Sequence, residues 1–307
     1  MLLDVRIVGG NGSPLLGLEP DDLAVRVDGH PVSLESVRWI AATTPYAEGL
    51  TPEVAAATGS DPGPAGRLIV FLFQKDLSPT RTPGLLRMKS KAIDMIDRLR
   101  PEDRVAVLSF DSHLKLWLDF TNDRGRLRRV INRSIFFENE PGYEEPAPAP
   151  SLAEHFDREA ARRAAAPETA LLQVARALQP LPGAKVLAFF GWGLGHLSGG
   201  IMQMHADYEP AVSALAAARV SVFSLDVTDA DYHSLEVGLR QVAEDTGGFY
   251  MRTHDFAGLA IEQLEQALVG YYTIAFEKPL LPRGQHVVKI ELTRRKGRVL
   301  TTGTYAD

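Results

Sequence analysis

The chain has 307 residues, 45% of them hydrophobic and 23% charged, with a formal net charge of −6 and no cysteine. That is the make-up of an ordinary globular protein with one large or two modest domains. The missing thiols exclude disulfides, zinc–thiolate centres and cysteine nucleophiles, and the mild acidic balance argues against a nucleic-acid backbone as a general partner.

Residues 3–8 read as a strand and Gly9-Gly10-Asn11-Gly12 as a turn. Leu23, Val25 and Val27 alternate with polar or small neighbours, Asp28-Gly29 is a hairpin signal, and Val32 to Trp39 resumes the extended pattern. Residues 43–66 are rich in Thr, Ala, Pro and Gly and read as a linker. The texture then changes. Leu68 to Phe73 is a continuous apolar run, as in a strand buried on both faces of a parallel sheet. Leu85, Met88, Ala92, Ile93, Ile96 and Leu99 recur at helical spacing, Val105–Phe110 and Leu114–Leu118 read as strands, and Asn122–Arg133 as a basic helix.

Residues 137–151 are acidic and proline-rich and are expected to form an exposed loop. Residues 152–165 have helical composition, and Thr169 opens an amphipathic helix ending near Pro180. Val186–Phe190 is the next buried strand, followed by the turn Gly191-Trp192-Gly193-Leu194-Gly195. Helices at 208–218, 234–245 and 256–270 alternate with strands at 220–226 and 249–252, which predicts a doubly wound, mostly parallel α/β sheet flanked by helices. Alternation returns at Tyr272–Phe276, Val288–Leu292 and Val299–Tyr305. Pairing these strands with the N-terminal ones gives a small β-sandwich-like domain into which the α/β domain is inserted. The expected division is 1–42 (N-terminal strands), 43–66 (linker), 67–270 (α/β domain) and 271–307 (strands completing the β domain). The basic run Arg294, Arg295, Lys296 and Arg298 lies between two strands and reads as a solvated hairpin tip. The apolar runs fall far short of the ~20 residues of a spanning helix. Strand-like alternation from Leu3 leaves no room for a signal peptide.

The strand, the Ser-bearing loop, the amphipathic helix and then Asp103-Arg104-Val105-Ala106-Val107-Leu108-Ser109-Phe110 resemble a von Willebrand factor type A (VWA) domain. Gly17-Leu18-Glu19-Pro20-Asp21-Asp22-Leu23 with Asp28-Gly29, then Ala243-Glu244-Asp245-Thr246-Gly247-Gly248, and Gly270-Tyr271-Tyr272 resemble one bacterial branch, the VWFA-related Acidobacterial-type family. The resemblance implies one antiparallel sheet edge and a ligand site at the carboxyl ends of the strands. There an Asp-x-Ser-x-Ser motif, a Thr and a later Asp hold Mg²⁺ or a similar ion, which an acidic side chain of a partner completes. It also implies export from a bacterial cell, hence a periplasmic or secreted protein, with a cytoplasmic one as the alternative.

The sequence departs from that pattern at the site. Gln74 stands where the first Asp belongs and Asp76 where the first Ser belongs; Ser78 and Thr169 match, Trp192 occupies the late acidic position, and Lys75 brings an ammonium close by in sequence. With fewer carboxylates the expectation is no bound metal, the alternative being Mg or Ca held by Asp76, Ser78 and Thr169. The ligand-binding rim is then Gln74, Lys75, Asp76, Ser78, Thr169 and Trp192, gripping a protein partner of unknown identity. Trp192 has two readings: an exposed anchor for the partner, or a ring folded back to cap the sheet.

Other constellations carry less. Gly191, Gly193 and Gly195 with Asp226 approach a dinucleotide fingerprint, but His196 stands where the last Gly belongs. His196 and His205 fit no zinc spacing and read as solvated loop residues. Asp226, Asp229, Asp231 and His233 are expected to cap the next helix rather than perform acid–base chemistry. Ser109 has no base beside it in sequence, and no nucleophile elbow, Walker loop or His-Glu-x-x-His appears. The sequence therefore reads as a non-enzymatic interaction or adhesion module, with a nucleotide-binding or enzymatic domain as the remote alternative.

Overall fold

In the computed structural model the described residues are 1–10, 12–41, 66–134 and 150–306. The expected linker at 43–66 and loop at 137–151 fall outside them, apart from Gly66, Pro150 and Ser151. The chain opens with strands β1 (Leu2–Val8), β2 (Leu23–Val27), β3 (His30–Val32) and β4 (Leu34–Ala41). Then come β5 (Leu68–Gln74), helix α1 (Thr82–Arg98), β6 (Arg104–Phe110), β7 (Leu114–Thr121), α2 (Arg124–Arg129), α3 (Arg158–Arg163), α4 (Pro167–Leu178) and β8 (Lys185–Gly191). A hairpin of β9 (His196–Ser198) and β10 (Ile201–Gln203) precedes α5 (Tyr208–Ala217), β11 (Val220–Asp226), α6 (Glu236–Asp245), β12 (Tyr250–Arg252) and α7 (Ala257–Ala267). Strands β13 (Gly270–Phe276), β14 (Gln285–Leu292), β15 (Arg298–Thr301) and β16 (Thr304–Ala306) close the chain.

The central sheet has the order β12-β11-β8-β5-β6-β7. Every pairing is parallel except that of the edge strand β7 with β6. The apolar run of β5 explains its central place. Leu68, Val70 and Leu72 face one core with α4, α5 and α6, and Ile69, Phe71 and Phe73 face the other with α1 and α7. A strand that is apolar on both sides is stable only with helices on both sides. On α1, Leu85, Met88, Ala92 and Ile96 form the buried stripe that the periodicity predicts, with Met95 added to it and Ile93 only partly buried.

The terminal strands form two antiparallel four-stranded sheets, β15-β1-β13-β4 and β16-β14-β2-β3. They share one core, in which Val5, Tyr272 and Ile274 of the first sheet meet Val25, Val27 and Ile290 of the second. Arg6, buried on β1, ties this sandwich to the α/β layers. Its Nη1 donates to Ser221 Oγ of β11 at 2.7 Å and its Nε to the Ala267 carbonyl at the end of α7 at 3.2 Å.

Two expectations change. Residues 293–297 are no hairpin tip, because β14 and β15 pair in different sheets and the basic run crosses between them. The basic helix is shorter than expected, since after Arg129 the backbone widens into a π turn at Val130–Ser134.

Candidate functional site at the carboxyl-end rim

Strand β5 has β6 on one side and β8 on the other, so the chain reverses its direction of progress across the sheet between β5 and β8. Open α/β sheets bind ligands in the crevice outside such a reversal. The loops leaving β5 and β8 carry Gln74 to Arg81 and Gly191 to Gly195 into that crevice.

Gln74 is buried there and its amide sews the two loops together. Oε1 accepts the main-chain N–H groups of Trp192 at 2.9 Å and Gly193 at 3.2 Å, and Nε2 donates to the Gly193 carbonyl at 2.9 Å. Gly191 is required at this approach, because a Cβ on it would lie 2.9 Å from Gln74 Oε1 and 2.7 Å from the Phe189 ring.

Asp76 turns its carboxylate back on its own loop. Oδ1 accepts the Ser78 N–H at 2.7 Å and Oδ2 is ion-paired with Arg81. Burial opposes ionisation, but the Ser78 amide and the Arg81 guanidinium outweigh it and hold the carboxyl below its usual range. Arg81 in turn lies flat over Trp192, its Cζ 3.6 Å from the ring centroid. The indole is half-buried against the core that α1 and α7 cover, and its Nε1 is buried without a hydrogen-bond partner. Trp192 thus follows the folded-back reading.

Lys75 belongs to a second ion cluster. Its Nζ is 3.0 Å from Asp111, which Lys115 also contacts at 2.7 Å. Thr169 stands at the start of α4, and its hydroxyl donates to Asp207 at 2.6 Å. Beside it Glu168 is buried and accepts the Gly195 N–H at 2.6 Å. The structure therefore joins Gln74 to Trp192, and Asp76 to Trp192 through Arg81, while the Thr169 hydroxyl is bonded to Asp207.

A divalent cation wants a shell of free, negatively charged oxygens, and most of the oxygens at these positions are engaged within the protein. Gln74 Oε1 already accepts two N–H groups, Asp76 faces a guanidinium, and Thr169 is bonded to Asp207. Ser78 Oγ, buried without a hydrogen-bond partner, is the remaining oxygen, and it is neutral.

The same rim carries a band of exposed apolar side chains. Leu77 is 87% exposed, Ile201 68%, Tyr232 66%, Phe256 64% and Leu197 52%. Leu77 follows β5, Leu197 and Ile201 form the hairpin after β8, Tyr232 follows β11 and Phe256 follows β12. These four strands are adjacent in the sheet, so their exit loops stand side by side over roughly 15 Å at the usual strand spacing. Gly199 and Gly200 turn the hairpin with φ of +58° and +81°, as a two-residue type I′ turn requires. The sequence reading missed Arg81 and this band. The Gly-Gly pair at the hairpin tip was the signal available for part of it.

Behind the rim, Asp226 accepts the Thr228 N–H at 2.9 Å and the Tyr250 hydroxyl at 2.9 Å, and lies 2.7 Å from His233 Nε2. Glu236 is gripped by Arg252 at 2.7 and 2.9 Å. Asp229 pairs with Arg87 and His254. The expected helix-capping role is thus replaced by cross-links, for the N-cap position of α6 is Leu235 and no side chain caps the helix. Ser109 is buried and its Oγ accepts the Trp117 indole N–H at 2.8 Å. Among the described residues no helix is long and apolar enough to cross a membrane.

No family model matches the chain, and no curated protein does. The fold is similar to that of a von Willebrand factor type A protein from Catenulispora acidiphila, at 12% identity and a TM-score of 0.46, covering 78% of this chain and 65% of that one. It is also similar to an aerotolerance-related membrane protein from Bacteroides fragilis NCTC 9343, at 14% identity and a TM-score of 0.43, covering 66% and 98%. The PilB minor pilin from Streptococcus sanguinis is similar at 12% identity and a TM-score of 0.41, covering 66% and 62%. The chain thus spans less than two thirds of the length of the pilin and of the Catenulispora protein.

Proposed function

We propose that this chain is a non-enzymatic protein-interaction or adhesion module that grips a protein partner at the carboxyl-end rim of its sheet, without a bridging metal ion. The observation that carries the proposal is the apolar band. Leu77, Leu197, Ile201, Tyr232 and Phe256 stand exposed on the exit loops of four neighbouring strands. Apolar side chains gathered on one edge mark a contact surface more than side chains scattered singly do. Metal independence is supported by the engagement of the Gln74, Asp76 and Thr169 oxygens. The VWA resemblance of the sequence agrees with such a role and favours a place outside the cytoplasm.

The test replaces Leu77 and Ile201 with serine. Both are exposed, so folding stability is expected to stay within about 0.5 kcal/mol of wild type. Proteins captured by the immobilised wild-type chain, quantified by mass spectrometry, should be lost from the double variant. Equal capture by both chains would remove the rim from consideration.

A further inference from the structure

We infer that Arg81 is the rim's receptor for a carboxylate side chain on the partner, a fixed guanidinium taking the place of a bridging cation. This rests on the rim being the contact surface and names the chemistry that it recognises.

Arg81 is held on two sides. Trp192 supports its flat face at 3.6 Å, and Asp76 accepts from Nη1. Its side chain is 26% exposed, and Nε and Nη2 have no acceptor among the described residues. Nε–H and one Nη2–H point the same way, the fork that a carboxylate meets with two parallel hydrogen bonds. Because the stack over Trp192 already orders the side chain with or without the ion pair, little rotamer freedom remains to be lost on binding.

The other basic groups near the rim are engaged. Lys75 and Lys115 share Asp111, and Arg87 contacts Asp229 and the His254 carbonyl. Asp76 sets the charge of the ligand. With one carboxylate already on the guanidinium, a second monoanion is tolerated, whereas a phosphate carrying nearly two charges meets stronger repulsion. Leu77 lies on the same loop as Asp76, and the Leu197–Ile201 hairpin follows Trp192. The matching segment is therefore an Asp or Glu flanked by apolar residues.

A random-peptide display library panned against the intact chain provides the probe. Selected peptides should carry an acidic residue beside apolar ones. Their affinity, read by fluorescence polarisation, should fall about tenfold or more in R81Q, as expected for a charge-assisted pair. Exchanging the peptide's acid for its amide should produce the same loss, with no further loss in R81Q. R81Q removes part of the support of Trp192, so its thermal midpoint is measured alongside. D76N gives an independent reading, because it frees the guanidinium while its amide oxygen can still accept the Ser78 N–H. It should tighten binding a few-fold, an order-of-magnitude expectation for removing one neighbouring charge.

Peptides without acidic enrichment, unchanged affinity in R81Q, weaker binding in D76N, or tighter binding of phosphoserine peptides would each overturn the inference. Peptides weakened by the Leu77/Ile201 double substitution but indifferent to R81Q would sink the inference and leave the rim standing. Peptides indifferent to both variants, or no enrichment at all, would count against both.

Discussion

The side-chain amide of Gln74 binds the main chain of Trp192 across the crevice between β5 and β8, accepting its N–H at 2.9 Å while donating to the next carbonyl, that of Gly193, at 2.9 Å. An amide does this because it offers donor and acceptor at one branch point; a carboxylate offers acceptors alone. The position that the family resemblance assigns to a metal-binding acid is here a structural cross-link.

Gln74→Ala should therefore destabilise the protein. It removes three buried hydrogen bonds and strands the Gly193 carbonyl and two N–H groups, a cost of about 2–4 kcal/mol. Gln74→Glu should be no better, since it buries a charge and loses the donor. Urea denaturation should show a lower midpoint with an unchanged slope for both. A stability equal to wild type would mean that the two loops are not joined through this side chain.

The Arg67–Asp103 pair predicts a pH dependence. Asp103 is buried; it accepts from Arg67 Nε at 2.8 Å and from the Arg67 and Arg100 amides at 3.0 and 2.9 Å. Burial raises its pKa, but the guanidinium and the two amides outweigh this and hold the carboxyl below its ordinary 3.8. The unfolded chain therefore binds the proton first. The stabilisation is complete above about pH 4 and is lost as pH falls through the lower folded value. Asp103→Ala should cost about 3–5 kcal/mol at neutral pH by stranding Arg67, and its stability should fall less steeply than that of wild type as the solution is acidified below pH ~4. Parallel acid slopes for the two proteins would contradict this.

The β9–β10 hairpin depends on two residues with positive φ, Gly199 and Gly200. Replacing both with valine should strain the turn by about 1–2 kcal/mol each. Hydrogen-exchange protection across 196–203 should drop while the global thermal midpoint stays within a degree or two, because the hairpin is exposed and, among the described residues, pairs with no other strand. Partner capture should weaken with it. A large fall in the global midpoint would place the hairpin in the folding core instead.

Most of the sheet was legible because its strands, such as Leu68–Phe73, are apolar on both faces and its helices carry a buried stripe. The hairpin was missed because a three-residue strand gives too little alternation, although its Gly-Gly tip was visible. The site was only half legible. Gln74 and Trp192 mark the loops that meet at the crevice, yet the partners of each oxygen depend on distant side chains. Arg81 lies three residues past the motif, Asp207 is 38 residues from Thr169, and nothing local announces either contact. Burial was equally hidden, since a Trp in a glycine-rich turn reads as either exposed or folded back until its packing on the core and its contact with Arg81 are known.

Cation dependence of partner capture is the most direct test of a rim that grips protein through its own side chains. The immobilised chain would be exposed to the same extract in EDTA and in buffers containing Mg²⁺, Ca²⁺ or Mn²⁺, with the Leu77/Ile201 double variant as the control for rim contacts. Equal recovery of the rim-dependent partners in all four conditions is the expected result. Recovery abolished by EDTA and restored by one of the ions would contradict it and return Asp76, Ser78 and Thr169 to the role of metal ligands.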